Sequence, residues 1–217
     1  LPPEPLILAF DTSAAHCAAA LLRGDVVVAS RHEEMAKGQA ERLMPLLDEV
    51  LQDGGVSWRE LQAIGVGIGP GNFTGIRISV AAARGLALSL GKPAIGVSLL
   101  ECLAFGAEGP VLACLDARRD HLYLQRFAMG NNRGPELVPI GDASDWALPG
   151  LCCIGQRADE VAEMTGLPHA PAAFSPASAI ARIAATRWQM PEARPAPLYI
   201  RPADAAPPRD PAPVVLD

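Results

Sequence analysis

Two stretches of this chain combine residue types that could hold an anion or a metal ion. The first is Asp11-Thr12-Ser13, an acid and two hydroxyls at the end of the apolar run Leu6 to Phe10. Such a group suits a phosphate or metal loop, and the same residues are also ordinary turn formers. The second is Gly69-Pro70-Gly71-Asn72-Phe73-Thr74-Gly75-Ile76-Arg77. Its proline fixes φ, while each glycine frees the backbone for φ > 0. Asn72 or Thr74 can cap a helix starting there, and the free N–H groups of a helix start favour anions. The plainer reading is a tight strand-to-helix turn with no ligand.

The spacing excludes two nucleotide signatures. No Gly-x-x-x-x-Gly-Lys-Ser/Thr occurs, and a dinucleotide fingerprint begun at Gly69 needs its third glycine at Thr74, not at Gly75. Arg77 and Arg84 stand seven apart on one helical face with Ala81 between them. Their forks suit an anion or a partner's carboxylate; a solvated face is the simpler alternative. Asp116-Ala117-Arg118-Arg119-Asp120-His121 is dense in charge for a hairpin tip, and its first acid ends a strand as Asp11 does. His16, His32, His121 and His169 show no pair at metal-ligand spacing.

The chain has 217 residues, 50% hydrophobic and 19% charged, with net charge −6. That size gives ample core for one large domain or two small ones. The acidic balance argues against broad unassisted nucleic-acid binding. No apolar run approaches the ~20 residues of a membrane span, and the Leu-Pro-Pro-Glu-Pro start lacks the parts of a secretion signal. The odd set Cys17, Cys102, Cys114, Cys152 and Cys153 contains no Cys-x-x-Cys and suits reduced core residues of a cytoplasmic protein.

Strands are predicted at Leu6 to Phe10, His16 to Leu22 and Val26 to Ser30, the last two joined by a turn at Gly24. A helix from Gln39 to Asp53 carries Leu43, Met44, Leu46, Leu47, Val50 and Leu51, a stripe broader than one sheet face needs, which leaves apolar surface for a partner. Pro45 inside it implies a start near Met44 or a kink. Ala63 to Ile68 is a strand. Thr74 to Leu90 is a helix of small residues, Ser79, Ala81, Ala82, Ala83 and Gly85, ended by Gly91 and Pro93. Ala94 to Val97 follows as a strand, then a helix opened by a Ser98–Glu101 capping box.

After Gly109-Pro110 the pattern restarts, with strands at Val111 to Leu115, Leu122 to Phe127 and Leu151 to Ile154. Met129 to Pro149 shows no clear element. Helices are predicted over Gln156 to Thr165 and from Ser175 or Ser178 to Trp188, and an extended or disordered proline-rich tail lies beyond Ile200. Residues 1–108, 109–202 and 203–217 thus form a first lobe, a smaller second lobe and a tail. Each lobe opens on a strand ending in Asp and a hairpin, so a duplicated mixed α/β architecture is expected.

Ile7-Leu8-Ala9-Phe10-Asp11-Thr12-Ser13, the Gly69 to Arg77 string, Asp116-Ala117-Arg118-Arg119 and Pro197-Leu198-Tyr199-Ile200-Arg201 occur in that order. Together they resemble the bacterial TsaB (YeaZ) family. One departure is Gln39-Ala40-Glu41, where the family often has His-Ser/Ala-Glu. The resemblance implies the two-lobed actin-like ATPase superfold, mixed sheets flanked by helices. It implies a non-catalytic subunit in making threonylcarbamoyladenosine, the modified adenosine beside the anticodon of certain tRNAs. The implied partners are a TsaD-type transferase bound through the first two helices, a TsaE-type ATPase, a second copy when the chain is alone, and tRNA only through the complex. No membrane is implied. The transferase's His-x-x-x-His metal motif is absent here. No cofactor of its own is expected, and ATP or ADP with magnesium would sit at the partner interface.

On this reading Leu43, Met44 and Leu47 anchor the partner, with Asn72, Phe73, Thr74, Gly75, Arg77, Ala81 and Arg84 beside them. No catalytic residue and no metal ligand is assigned. Asp11, Thr12, Ser13, Gly71 and Arg118 are candidate phosphate or nucleotide contacts. The alternative function is a small nucleotide-dependent phosphotransferase of the same superfold, with Asp11, Thr12, Gly71 and Arg77 around a phosphate; fold alone does not choose between these. A metallopeptidase is a third reading, for which zinc ligands are missing.

Overall fold

The computed structural model describes residues 4–190 and 193–201. Its first half begins with β1 (Leu6–Asp11), β2 (His16–Arg23) and β3 (Val26–Glu34), then α1 (Gln39–Asp53), β4 (Ala63–Gly67), α2 (Phe73–Leu90), β5 (Ala94–Val97) and α3 (Leu99–Ala104). The second half runs β6 (Val111–Asp116), β7 (His121–Phe127), β8 (Arg133–Pro139), β9 (Cys152–Gly155), α4 (Ala158–Thr165), β10 (His169–Ala170) and α5 (Pro176–Arg187).

The sheets have orders β3-β2-β1-β4-β5 and β10-β9-β6-β7-β8. In each, the founding strand pairs antiparallel with the next strand and parallel with the fourth, as β1 does with β2 and β4, and β6 with β7 and β9. The duplicated architecture is therefore present strand for strand. β1 is covered on both faces, which explains its unbroken apolar run. Leu8 and Phe10 pack under α1 and α2, and Ile7 and Ala9 pack under α5.

The helices do not stay with the halves that encode them. α5 lies on the first sheet through Ile180, Ile183 and Ala184. α3 turns Leu100 toward Val111, Ala113 and Ile154 of the second sheet while Leu99 and Cys102 meet the α5 cluster.

Several expectations are corrected. α1 spans Gln39–Asp53 as expected and runs through Pro45, so of the two alternatives at that proline a start near Met44 is excluded. A proline in a helix interior costs about 3 kcal/mol. Leu43, Leu46, Leu47, Val50 and Leu51 are all buried, and at ~1.5–3 kcal/mol each they outweigh it. Ser98 caps α3 by accepting from the Leu100 N–H at 3.3 Å, but Glu101 pairs with Arg187 rather than closing a capping box. β8 occupies part of the stretch without clear pattern; it is an edge strand, half-exposed along its length, and Gly134-Pro135 disguise it as a turn. A 3₁₀ segment, Ile140–Trp146, follows and buries Trp146. β10 is only two residues long. The tail expected beyond Ile200 lies outside the described residues, apart from Arg201.

α2 is also more apolar than the sequence suggested, with 18 residues of mean hydropathy 1.2, long and apolar enough by composition to cross a membrane. One side of it, with Ile76, Val80 and Ala83, is buried against the first sheet, while Arg77, Ala81, Arg84 and Leu88 stand on the outer face. All five cysteines are free, and Cys17, Cys102, Cys114 and Cys153 are buried. Burial, with Glu33 nearby, pushes the Cys17 thiol up to about 11, and burial likewise raises Cys102, so neither is a poised nucleophile.

Candidate functional site: the glycine turn, the outer helix face and the interlobe cleft

The acid–hydroxyl loop and the glycine turn, far apart in sequence, are packed directly on each other. Thr12 Oγ1 donates to the Gly75 carbonyl at 2.7 Å, and the Asn72 N–H donates to the Ser13 carbonyl at 2.6 Å. A Cβ on Gly71 would collide with the Ser13 carbonyl, and one on Gly75 with the Thr12 carbonyl. These glycines are thus required for a close approach within the chain. Asn72 caps α2, its Oδ1 accepting from the Gly75 N–H at 3.0 Å.

Asp11, Thr12 and Ser13 are completely buried. Asp11 Oδ2 accepts from the Ser13 N–H at 3.2 Å and Ser13 Oγ at 2.9 Å, and lies 2.8 Å from His16 Nε2. Asp11 Oδ1 has no hydrogen-bond partner and is turned toward Gly67, where a side chain would strike it. ATP with magnesium, which the actin-like fold implies, needs free donors and an approachable carboxylate here. The residues do not fit it: the chain's own backbone fills the glycine cradle, and the polar groups of Asp11 and Thr12 are engaged internally or buried. Asp11 and Thr12 are therefore engaged within the chain, whereas Ser13 and Gly71 also border the interlobe cleft.

Arg77 takes no part in that loop. Its Nε donates to Tyr199 Oη at 2.8 Å, and its guanidinium lies 3.8 Å from the Phe73 ring centroid. Phe73 and Tyr199 stack with centroids 4.8 Å apart. This cluster pins residues 193–201 beside the start of α2; the Leu198 N–H also donates to the Ile68 carbonyl at 2.8 Å. The phosphotransferase arrangement, with Arg77 beside Asp11 and Gly71, is not formed.

The outer face of the helix pair is exposed. Met44 on α1 is 40% exposed and Phe73 at the start of α2 is 39% exposed. Thr74, Arg77, Ala81 and Arg84 also reach solvent. Leu43 and Leu47 do not: they are buried beneath α1 against the first sheet, so they hold the helix in place and cannot anchor a partner directly. Gly75 is buried too, and shapes the surface only through the turn.

Between the lobes lies a cleft of about 720 Å³ bordered by Ser13, His16, Asn72, Asp116, Arg118 and Arg201 among others. Arg118, Arg119 and Asp120 all hold positive φ, forming a tight left-handed tip on the β6–β7 hairpin. Ala117 donates its N–H to the His121 carbonyl at 2.9 Å across that tip, and Arg157 stands 3.5 Å from Asp116. Arg118 faces the same cleft as Ser13 and Gly71. Gln39, where the resembled family often has His, donates to the Met35 carbonyl at 3.2 Å and ties the start of α1 to the cleft wall. Among the described residues no cluster of three or more His, Cys, Asp or Glu could hold a metal ion, which leaves the metallopeptidase reading without ligands.

Comparison with known proteins now places this geometry. Residues 28–195 match a family model described as TsaD, tRNA N6-adenosine threonylcarbamoyltransferase. An uncharacterised protein of Mycobacterium tuberculosis is 34% identical over 205 residues, 93% of this chain and 94% of that one. The tRNA threonylcarbamoyladenosine biosynthesis protein TsaB of Escherichia coli is 37% identical over 131 residues, which span 58% of this chain and 56% of that protein. The solved structure of YeaZ from Pseudomonas aeruginosa superposes with a TM-score of 0.68 at 30% identity, covering 90% of this chain and 99% of that one. The chain belongs to the TsaB (YeaZ) family.

Its fold is accordingly the two-lobed actin-like ATPase fold, here with two sheets of identical strand order. The TsaB strings that stand apart in sequence meet in space. Asp11-Thr12-Ser13 packs on the glycine turn, and the turn's Phe73 and Arg77 meet Tyr199 of the last string. The contact missed at the sequence level is that of Arg77 with Tyr199; the joint presence of both residues in the TsaB strings was the available signal.

Proposed function

We propose that the chain is a non-catalytic subunit in the biosynthesis of tRNA threonylcarbamoyladenosine, acting as a scaffold for a TsaD-type transferase. The observation that carries this reading is the likeness to the Escherichia coli protein named for that biosynthesis. The site supports it: the loop best suited to chemistry is spent on internal contacts, whereas the α1–α2 face presents Met44, Phe73, Ala81 and Arg84 to solvent. The transferase docks on that face, and a second copy uses it when the chain is alone. A TsaE-type ATPase joins the cytoplasmic assembly, with ATP or ADP and magnesium at the partner interface rather than in the glycine cradle. At net charge −6 the chain leaves tRNA to the assembled complex.

The test is reconstitution. The purified chain should co-elute with a TsaD-type transferase and restore the modification to an extract depleted of its TsaB. An extract that stays inactive, with no complex on the column, would overturn the reading.

A further inference from the structure

A groove runs beside the C-terminal half of α2, between that helix, β5 and residues 190, 194 and 195, with a volume of about 540 Å³. No α1 residue lines it, so it is separate from the α1–α2 face except at Arg84, which borders both. Three cations surround it, Arg84, Lys92 and Arg194, and no described Asp or Glu lines it. None of the three side chains makes a hydrogen bond or ion pair with another described residue, in a chain whose net charge is −6. The walls between them are apolar. Ile95 is buried there, while Leu88 is 82% and Met190 52% exposed. Like charges with no partner among the described residues, set around exposed apolar side chains, give this surface a sign opposite to the chain's net charge.

We propose that this groove receives an acidic, apolar segment of the transferase partner, extending the docking surface from the α1–α2 face past Arg84 to β5. The inference rests on the partner reading above. Acidic side chains flanking apolar ones would satisfy the cations and cover Leu88 and Met190 together, and charge complementarity of this kind steers docking and fixes register. A nucleic-acid backbone would engage the cations but leave the apolar walls unused.

The affinity for a purified TsaD-type transferase, measured by calorimetry across a salt series, tests it. Reversing all three charges (Arg84→Glu, Lys92→Glu, Arg194→Glu) should weaken binding at least tenfold at low salt and flatten its salt dependence. Leu88→Glu, one exposed substitution, should weaken it in the same direction and stands in if the triple variant folds poorly. Met44→Asp probes the α1–α2 face separately and should weaken binding while leaving the salt slope intact. If Met44→Asp abolishes binding and the charge-reversed variant stays within twofold of wild type, the groove inference falls and the partner reading stands. If neither alters binding, the groove inference and the α1–α2 face assignment both fall, while the partner reading stands on the complex itself. Transferase affinity that is unchanged, with loss only of tRNA retention or of self-association, would assign the groove to a nucleic acid or a second copy and overturn the inference.

Discussion

Gly75 and Thr12 hold each other from two directions. The Thr12 hydroxyl donates to the Gly75 carbonyl at 2.7 Å, and the Thr12 carbonyl occupies the space a Gly75 side chain would need. The glycine is there for room rather than for an unusual φ, since its φ lies outside the left-handed region. The start of α2, and with it the exposed Phe73, is thereby set on the buried end of β1.

Gly75→Ala should therefore destabilise the fold by about 2–4 kcal/mol, because the obstructing atom is backbone that cannot swing aside. Gly85→Ala on the same helix is the control. Nothing lies within 4 Å of a Cβ there, so a gain of ~0.5–1 kcal/mol is expected from helix propensity. Urea unfolding of both variants checks the contrast; equal effects would show that the turn yields.

Leu47 and Met44 are neighbours on α1 with opposite duties. Leu47→Ala should cost about 2–5 kcal/mol through the cavity it leaves. Met44→Asp should leave the melting temperature nearly unchanged and instead reduce self-association, read by light scattering, or affinity for the transferase.

Arg77 links α2 to the C-terminal segment by one hydrogen bond to Tyr199 and by a cation–π contact with the same ring, 5.9 Å from its centroid. Tyr199→Phe should keep the stack and lose ~0.5–1.5 kcal/mol; Arg77→Ala removes both contacts. A double-mutant cycle should return a coupling of order 1 kcal/mol, and limited proteolysis should cut sooner near residue 199 in Arg77→Ala.

Acid should uncouple α1 from β3. Arg42 bonds Glu33 at 2.6 and 2.8 Å and Glu49 at 2.7 Å, and its guanidinium holds both carboxyls below their ordinary value of 4.5. Because their folded values are depressed, the stabilisation is present above about pH 4.5 and is lost as pH falls through the folded values. Wild type and Arg42→Ala should thus differ in stability at pH 7, and the gap should narrow as pH falls below about 4.5, as measured by denaturant unfolding. A gap of constant size from pH 7 down through the acid range would show that Arg42 acts through packing alone.

The elements most legible in the sequence are those whose pattern and punctuation agree. β1 and β4 are continuous apolar runs, and α2 lies between the Asn72 cap and Gly91, as expected. Legibility fails where local pattern conflicts with tertiary role. The broad stripe of α1 marks a helix but does not say which leucines face the sheet, so Leu43 and Leu47 looked available for a partner. Asp11, Thr12 and Gly71 have the composition of a phosphate loop, and only packing reveals that Asp11 holds Ser13 and His16, Thr12 holds Gly75, and Gly71 abuts Ser13. The Arg77–Tyr199 bond spans 122 positions and carries no local signature.

The crossing of α3 and α5 bears on synthesis. The first sheet is translated early, yet one of its faces is closed by Ile180 and Ile183, which emerge only after the strands of both sheets. The N-terminal half is therefore an open sandwich with a greasy side while the ribosome completes the rest, a state prone to sticking to other nascent chains. Emergence of α5, rather than completion of the first sheet, closes that face.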